Sequence, residues 1–341
     1  MFDKWMIGAF LSIIGACNYN CIYCSAHEQI LDGAVLEYED IKYVYDILKR
    51  KKVCKINITG GEPFLHKDIE RIIQLSVDNF STTLLTNGSL IPEHIEFLKQ
   101  FKNKKRLHFS VSLDSGNPER NMLTRGEGTF ELSLEGIEKL IDLGYKVNVL
   151  STITSYYDVT DLKNLVRKVI RAGGNQINLT PLQPCGVAKN EFDMLRPSVN
   201  MLCEIEKIIP ELQSKYGINI GTGFGKCYST DEQTNSECYL LPCKAGITQI
   251  SIRSNGDVYP CNALEIYMGN LFKDDIDYIL EHSEGAQLIR HISKEKISTH
   301  TKCKKCRFNR NCTGGCRGVA YGGTGDIYHP DIYCDQLNIC D

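Results

Sequence analysis

Residues Gly8 to Ile14 form a mainly apolar run of the length of one buried strand, and the chain after it alternates between two hydrophobic periods. Residues 37–51 (EYEDIKYVYDILKRK) carry apolar side chains at helical spacing, and residues 53–59 (VCKINIT) read as the next strand. The alternation repeats with helices over 66–79, 92–101, 130–143 and 159–172 and strands over 82–85, 107–113, 146–153 and 176–180. Six strands alternating with helices predict an α/β fold with a parallel sheet. Periodicity leaves two frames open, a curved (βα)6 partial barrel and an open doubly wound sheet. From about Gly221 the pattern stops, and residues 226–239 (KCYSTDEQTNSECY) have the composition of a linker. The expected division is a core over residues 1–225 and a smaller cysteine-rich region over 226–341. In the latter, Asn255-Gly256 between two apolar runs marks a hairpin.

Composition narrows the function classes. The 341 residues hold 39 Lys plus Arg against 42 Asp plus Glu, a formal charge of −3, with only short basic patches at Lys49–Lys52 and Lys102–Arg106. Those patches read as solvated helix ends, and no nucleic-acid partner is expected. No apolar run approaches the ~20 residues of a membrane span, and the first residues lack the layout of a cleavable signal, so a cytoplasmic protein is expected. In a reducing compartment sixteen cysteines are better explained by metal than by disulfides.

Eleven of them fall into two patterned groups. Cys17, Cys21 and Cys24 are spaced CxxxCxxC on the loop leaving the first strand. Three thiolates on an iron–sulfur cluster leave one metal position open, which separates a catalytic site from a closed structural one. A CxxC alone would leave zinc or a redox dithiol open, but His27 is the only histidine nearby and it does not stand at ligand spacing. The second group is Cys238, Cys243, Cys261, Cys303, Cys306, Cys312, Cys316 and Cys334. Eight thiolates suffice for two fully ligated 4Fe-4S clusters, with two four-cysteine zinc sites as the alternative. Cys340 can replace Cys334. Cys54, Cys185, Cys203 and Cys227 stand outside the pattern and are expected as buried thiols. Three further motifs, GGEP (60–63), TNG (86–88) and SLD (112–114), close predicted strands, where parallel α/β folds place their active sites.

CxxxCxxC with Tyr23 before its last cysteine, followed one strand later by GGEP, resembles the signature of the radical S-adenosylmethionine (SAM) enzymes. From Cys243 the cysteine pattern resembles that of the SPASM domain, the auxiliary-cluster extension of that family. The resemblance implies a (βα)6 partial TIM barrel and three 4Fe-4S clusters. The first sits on Cys17, Cys21 and Cys24; a crossed arrangement gives Cys238, Cys243, Cys261 and Cys316 to the nearer auxiliary cluster and Cys303, Cys306, Cys312 and Cys334 to the farther. It places Gly60, Gly61 and Glu62 at the SAM amino group, the Tyr23 backbone and Leu182 at the adenine, and Ser112 at the carboxylate. Arg125 is a second candidate there, although a surface position is the commoner fate of such an arginine.

The implied chemistry is reductive cleavage of SAM to a 5′-deoxyadenosyl radical that takes a hydrogen atom from the substrate, with a flavodoxin- or ferredoxin-type electron donor. Family habit favours maturation of a ribosomally made peptide by crosslinking, thioether formation or epimerisation. The alternatives are a small molecule (sugar, aminocyclitol or tetrapyrrole) and, from another class, a non-catalytic electron carrier, for which GGEP would have no use. With 16 residues before Cys17, a separate amino-terminal peptide-binding domain is not expected. In the related anaerobic sulfatase-maturating enzymes an Asp proposed as a base follows the run NGDVYPC; here that residue is Asn262, which has no basic site.

Overall fold

The computed structural model describes residues 6–223, 243–294, 303–304 and 314–335. The six expected strands are present in order and pair in parallel: β1 (Gly8–Ser12), β2 (Lys55–Thr59), β3 (Ser81–Thr86), β4 (Leu107–Ser112), β5 (Lys146–Ile153) and β6 (Gln176–Pro181). A short helix, α1 (His27–Asp32), follows the first cysteine loop, and α2 (Tyr38–Arg50), α3 (Ile69–Asn79) and α4 (Ile95–Gln100) then alternate with strands as expected. Between β4 and β5 the chain forms α5 (Pro118–Arg125) and α6 (Thr129–Asp142), and α7 (Val159–Arg171) links β5 to β6. After β6 come α8 (Phe192–Leu195) and the long α9 (Val199–Tyr216).

Local sequence accounts for several boundaries. Asp158 caps α7 by accepting from the backbone N–H groups of Thr160 and Asp161, while the Asp161 side chain accepts from the Asp158 N–H. Asn117 caps α5 in the same manner, with Pro118 in the first turn where its missing N–H costs nothing.

The strands bury their apolar residues mainly on one face. Outward residues such as Leu11, Ile56, Ile58, Leu84, Phe109, Val149 and Leu179 share one core with Val44, Leu48, Ile72, Ile137 and Leu165 of the covering helices. The alternate positions on the same strands are half-exposed, and many are polar: Asn57, Thr83, Asn148, Asn178. A doubly wound sheet would be covered by helices on both faces. One-sided burial therefore selects the partial barrel, helices outside and a polar concave face within.

The sheet is longer than expected. β7 (Asn219–Thr222) adds in parallel beside β6, so the strand pattern continues through Gly221, where it was expected to stop; the expected linker, 226–239, lies outside the described residues. At the other edge β8 (Gln249–Ile252) pairs in parallel with β1, followed by antiparallel β9 (Asp257–Tyr259) and β10 (Gly269–Asn270). The strand order is β10-β9-β8-β1-β2-β3-β4-β5-β6-β7. The cysteine-rich region thus re-enters the core sheet. The hairpin at Asn255-Gly256 forms as read, joining β8 to β9 with Gly256 in the left-handed region at φ 88°. Helices α10 (Ile276–Glu281), α11 (Glu284–Lys294), α12 (Arg317–Thr324) and α13 (Ile332–Asp335) complete the described chain. Among the described residues no helix is long and apolar enough to cross a membrane.

Candidate active site and cysteine-rich region

The loop carrying Cys17, Cys21 and Cys24 leaves the carboxyl end of β1 and is held from three sides. From β2, the N–H groups of Gly61 and Glu62 donate to the carbonyls of Ile14 (2.8 Å) and Ala16 (2.7 Å). This approach is so close that a Cβ on Gly61 would stand 2.1 Å from the Ala16 oxygen, and one on Gly60 2.6 Å from that of Ile14. The glycines of GGEP are therefore required by the protein's own cysteine loop. From α5, the Thr124 carbonyl accepts from Ile22 N–H at 3.0 Å, and from beyond β6 the Val187 N–H donates to the Cys24 carbonyl at 3.1 Å.

Glu62 is wholly buried and accepts three hydrogen bonds: from Phe64 N–H (3.2 Å), Thr86 Oγ1 (2.7 Å) and Asn87 N–H (2.7 Å). It staples GGEP to the TNG loop. Asn87 Nδ2 in turn donates to Asn18 Oδ1 at 2.8 Å, and Asn18 Nδ2 to Ser89 Oγ at 2.9 Å, which ties TNG to the cysteine loop. These partners lie some 24 to 71 residues apart in sequence, and residue pattern alone does not show them.

A second network lies behind Tyr23. Its hydroxyl donates to Asp114 Oδ2 at 2.6 Å and accepts from Arg125 Nη1 at 2.8 Å. Asp114 also accepts from Thr124 Oγ1 (2.7 Å) and Thr152 N–H (3.1 Å), and Arg125 stands 3.7 Å from its Oδ1. Arg125 is only 7% exposed, which corrects the surface expectation: α5 carries it inward beside the thiol loop. Burial opposes its charge, but Tyr23, Cys21 and Asp114 together hold its pKa above the ordinary value. Its Nε is buried and has no partner among the described residues, an orphaned donor where an anionic group would be satisfied.

Ser112 ends β4, half-buried on the concave face, next to Asp114. Leu182 is 1% exposed, its N–H bonded to the Ile153 carbonyl and its own carbonyl accepting from Tyr333 Oη at 2.6 Å. Cys185 is buried as expected, whereas Cys54 is exposed at the entrance to β2, with Sγ donating to the Ile7 carbonyl, and Cys203 is half-buried on α9.

In the cysteine-rich region Cys243, Cys261 and Cys316 stand close enough for charge on one to raise the pKa of another. Asp331 accepts from the N–H groups of Cys316 (2.9 Å) and Tyr333 (3.0 Å), and its carbonyl accepts from Cys334 N–H (2.9 Å). Arg317, 1% exposed, donates to the carbonyls of Ile327 (2.7 Å), His329 (2.9 Å) and Gly314. Asn262 Oδ1 accepts from Ser251 Oγ at 2.6 Å, bonding its loop to β8. Cys303 is half-buried, and Cys238, Cys306, Cys312, Cys227 and Cys340 lie outside the described residues.

Burial raises these thiols from an ordinary 9.0, to about 11 for Cys24 and Cys261 and about 12 for Cys316. A folded pKa above the unfolded one means that the folded chain holds the proton longer. In metal-free protein the contribution to stability is whole below about pH 9 and is lost as pH rises through 11 to 12. Urea midpoints of the metal-free chain should therefore fall between about pH 8 and about pH 11. Metal-loaded protein, whose thiols are already deprotonated, should not follow this trend.

Three thiols on one loop at the strand ends, with no carboxylate among them, suit iron–sulfur ligation, and the orphaned Arg125 donor suits a carboxylate beside it. A partial barrel bearing such a loop defines a SAM-dependent radical enzyme. The chain belongs to the radical SAM superfamily, whose profile matches residues 11–179, and carries a SPASM iron–sulfur cluster-binding domain matched over 243–307. It binds SAM and iron–sulfur clusters. The AdoMet-dependent heme synthase of Methanosarcina barkeri is 26% identical, with 94% of each chain covered. The mycofactocin maturase MftC of Mycolicibacterium smegmatis is 25% identical over 94% of this chain and 80% of its own. Among solved structures, SuiB of Streptococcus suis bound to SAM superposes with a TM-score of 0.76 at 19% identity, covering 97% of this chain and 77% of SuiB.

Proposed function

We propose that this chain is a peptide-modifying radical SAM enzyme, with Cys17, Cys21 and Cys24 holding the cluster that SAM meets. When bound and reduced, that cluster supplies the electron that splits SAM into methionine and a 5′-deoxyadenosyl radical. The observation that carries the reading is the placement of three half-buried thiols on one loop near an unpartnered, buried arginine Nε. Arg125 Nε and Ser112 take the SAM carboxylate. The amino group goes to the GGEP loop beside half-buried Gly61, since the Glu62 carboxylate already serves three donors of the protein. The Tyr23 backbone and Leu182 border the adenine. The substrate enters over the polar concave face and loses a hydrogen atom at its rim. Electrons come from a flavodoxin- or ferredoxin-type donor, and similarity to the maturase MftC supports a peptide as substrate. Anaerobic protein reduced with dithionite should convert SAM to 5′-deoxyadenosine, and Cys21→Ala should abolish the product. Wild-type protein that yields none with any low-potential reductant overturns the reading.

The cysteine-rich region holds two further clusters in this reading, so reconstituted protein should bind about twelve irons per chain. About four irons together with zinc would make that region structural instead. A second substrate reading, a porphyrin-type small molecule, is supported by similarity to the heme synthase over nearly the full length of both chains. It requires that a porphyrin, and not a peptide, stimulate 5′-deoxyadenosine formation.

A further inference from the structure

The polar face within the partial barrel differs from every other polar cluster described above. Glu62, Asp114, Asn87 and Arg317 are buried and bonded to the chain. By contrast, the side chains of Asn57, Thr83, Ser110, Asn148 and Asn178 have no hydrogen-bond partner among the described residues, although Ser110 is only 8% exposed and Asn148 Oδ1 is fully enclosed. Strand register sets them side by side: Asn57 opposite Thr83, Ser110 opposite Asn148, and Asn178 opposite Leu150 and Gly221. At about 3.3 Å per residue, Asn178 lies roughly 7 Å and Asn148 roughly 13 Å below the rim formed by Thr180 and Thr152. The surface is thus continuous with the active site and reaches as deep as about two to four residues of extended chain.

Its charges sit at the ends only. Lys55, His108 and Lys146 mark the amino-terminal rim, where burial and the two lysines together lower the His108 pKa, and Asp114 marks the opposite rim. Between them the face offers amides and hydroxyls, with Phe10, Leu85 and Leu150. Unpaired half-buried amides require partners, and an asparagine meets a peptide group as donor and acceptor, although Asn148, its oxygen enclosed, offers an entering peptide Nδ2 alone. A porphyrin needs broad apolar walls for its ring and cations for its carboxylates, and the middle of this face has neither.

We propose that this concave face binds an uncharged, extended peptide segment, with Asn57, Asn148 and Asn178 pairing its backbone amides and so setting substrate class. The inference rests on the peptide-modifying reading and names the residues that carry it.

The test uses the reconstituted full-length chain with SAM and dithionite. The probe is a pool of N-acetylated, C-amidated dodecapeptides of Gly, Ala, Ser, Thr, Asn and Gln, compared with protoporphyrin IX, and the readout is stimulated 5′-deoxyadenosine formation. The peptide pool should stimulate and the porphyrin should not. Asn148→Leu and Asn178→Leu should raise the half-stimulating peptide concentration about tenfold each, the scale of one lost hydrogen bond that leaves a buried group unpaired. Asn148→Asp, nearly isosteric, should weaken the neutral pool while a lysine-containing pool regains the loss, an exchange that a merely structural role would not produce. Equal half-stimulating concentrations in wild type and variants overturn the inference while the peptide reading stands. Stimulation by the porphyrin alone overturns both, and a pool that stimulates nothing overturns the inference.

Discussion

Arg125→Met is expected to raise the half-saturating SAM concentration about ten- to a hundredfold, the equivalent of one charge-assisted hydrogen bond of about 1.5–3 kcal/mol. The guanidinium does two things at once. Through Nη1 it holds Tyr23, which lies between Cys21 and Cys24, and through Nε it offers a buried donor near the thiols that lacks a partner among the described residues. Asp114 retains Tyr23, Thr124 and the Thr152 N–H after the change, so the thiol loop keeps most of its anchors and binding is affected more than folding. Arg125→Lys restores the charge but not the planar fork, and should recover only part of the affinity. Half-saturation curves at equal iron content make the comparison. An unchanged value in Arg125→Met would assign the SAM carboxylate elsewhere.

Arg317→Met should destabilise the chain by about 3–5 kcal/mol, because three carbonyls, two of them on buried residues, lose their donor together. Those carbonyls, at Gly314, Ile327 and His329, belong to the two ends of the segment that places Cys316 and Cys334. Asp331 links the same ends by accepting from Cys316 N–H and offering its carbonyl to Cys334, and Arg317 lowers the energy of its buried charge. Thermal midpoint and iron content should therefore fall together in the variant, with cysteine-loop spectra of the first site spared. A variant that melts with the wild type would reduce Arg317 to a passive filler.

The strands were legible because each carries recurring apolar residues over the right length, and the cysteines because their spacing has few rivals. The choice of barrel was also written in the chain: KINIT, LHFSVS and QINLTP place polar residues on one face only, a signal obscured when each strand is weighed by total hydrophobicity. Strand β7 escaped because four residues, NIGT, carry too short a pattern, and β8, read as one arm of the hairpin, gives no local sign that it also pairs with β1. Arg125 was named as a carboxylate candidate, but its burial could not be read. Whether α5 turns it inward depends on Tyr23, about a hundred residues away, and no local propensity encodes that contact.

The pairing of Gly8 with Gln249 also sets an order of events during synthesis. One edge of β1 stays open until the ribosome has delivered β8, an interval on the order of tens of seconds at ordinary elongation rates. Contacts this distant in sequence close slowly, and an open strand edge is a template for pairing with other chains. The strand that feeds the first cysteine loop is therefore among the last to be sealed in the nascent protein, and its thiols await their neighbours while the rest of the barrel can already close around β3 to β6.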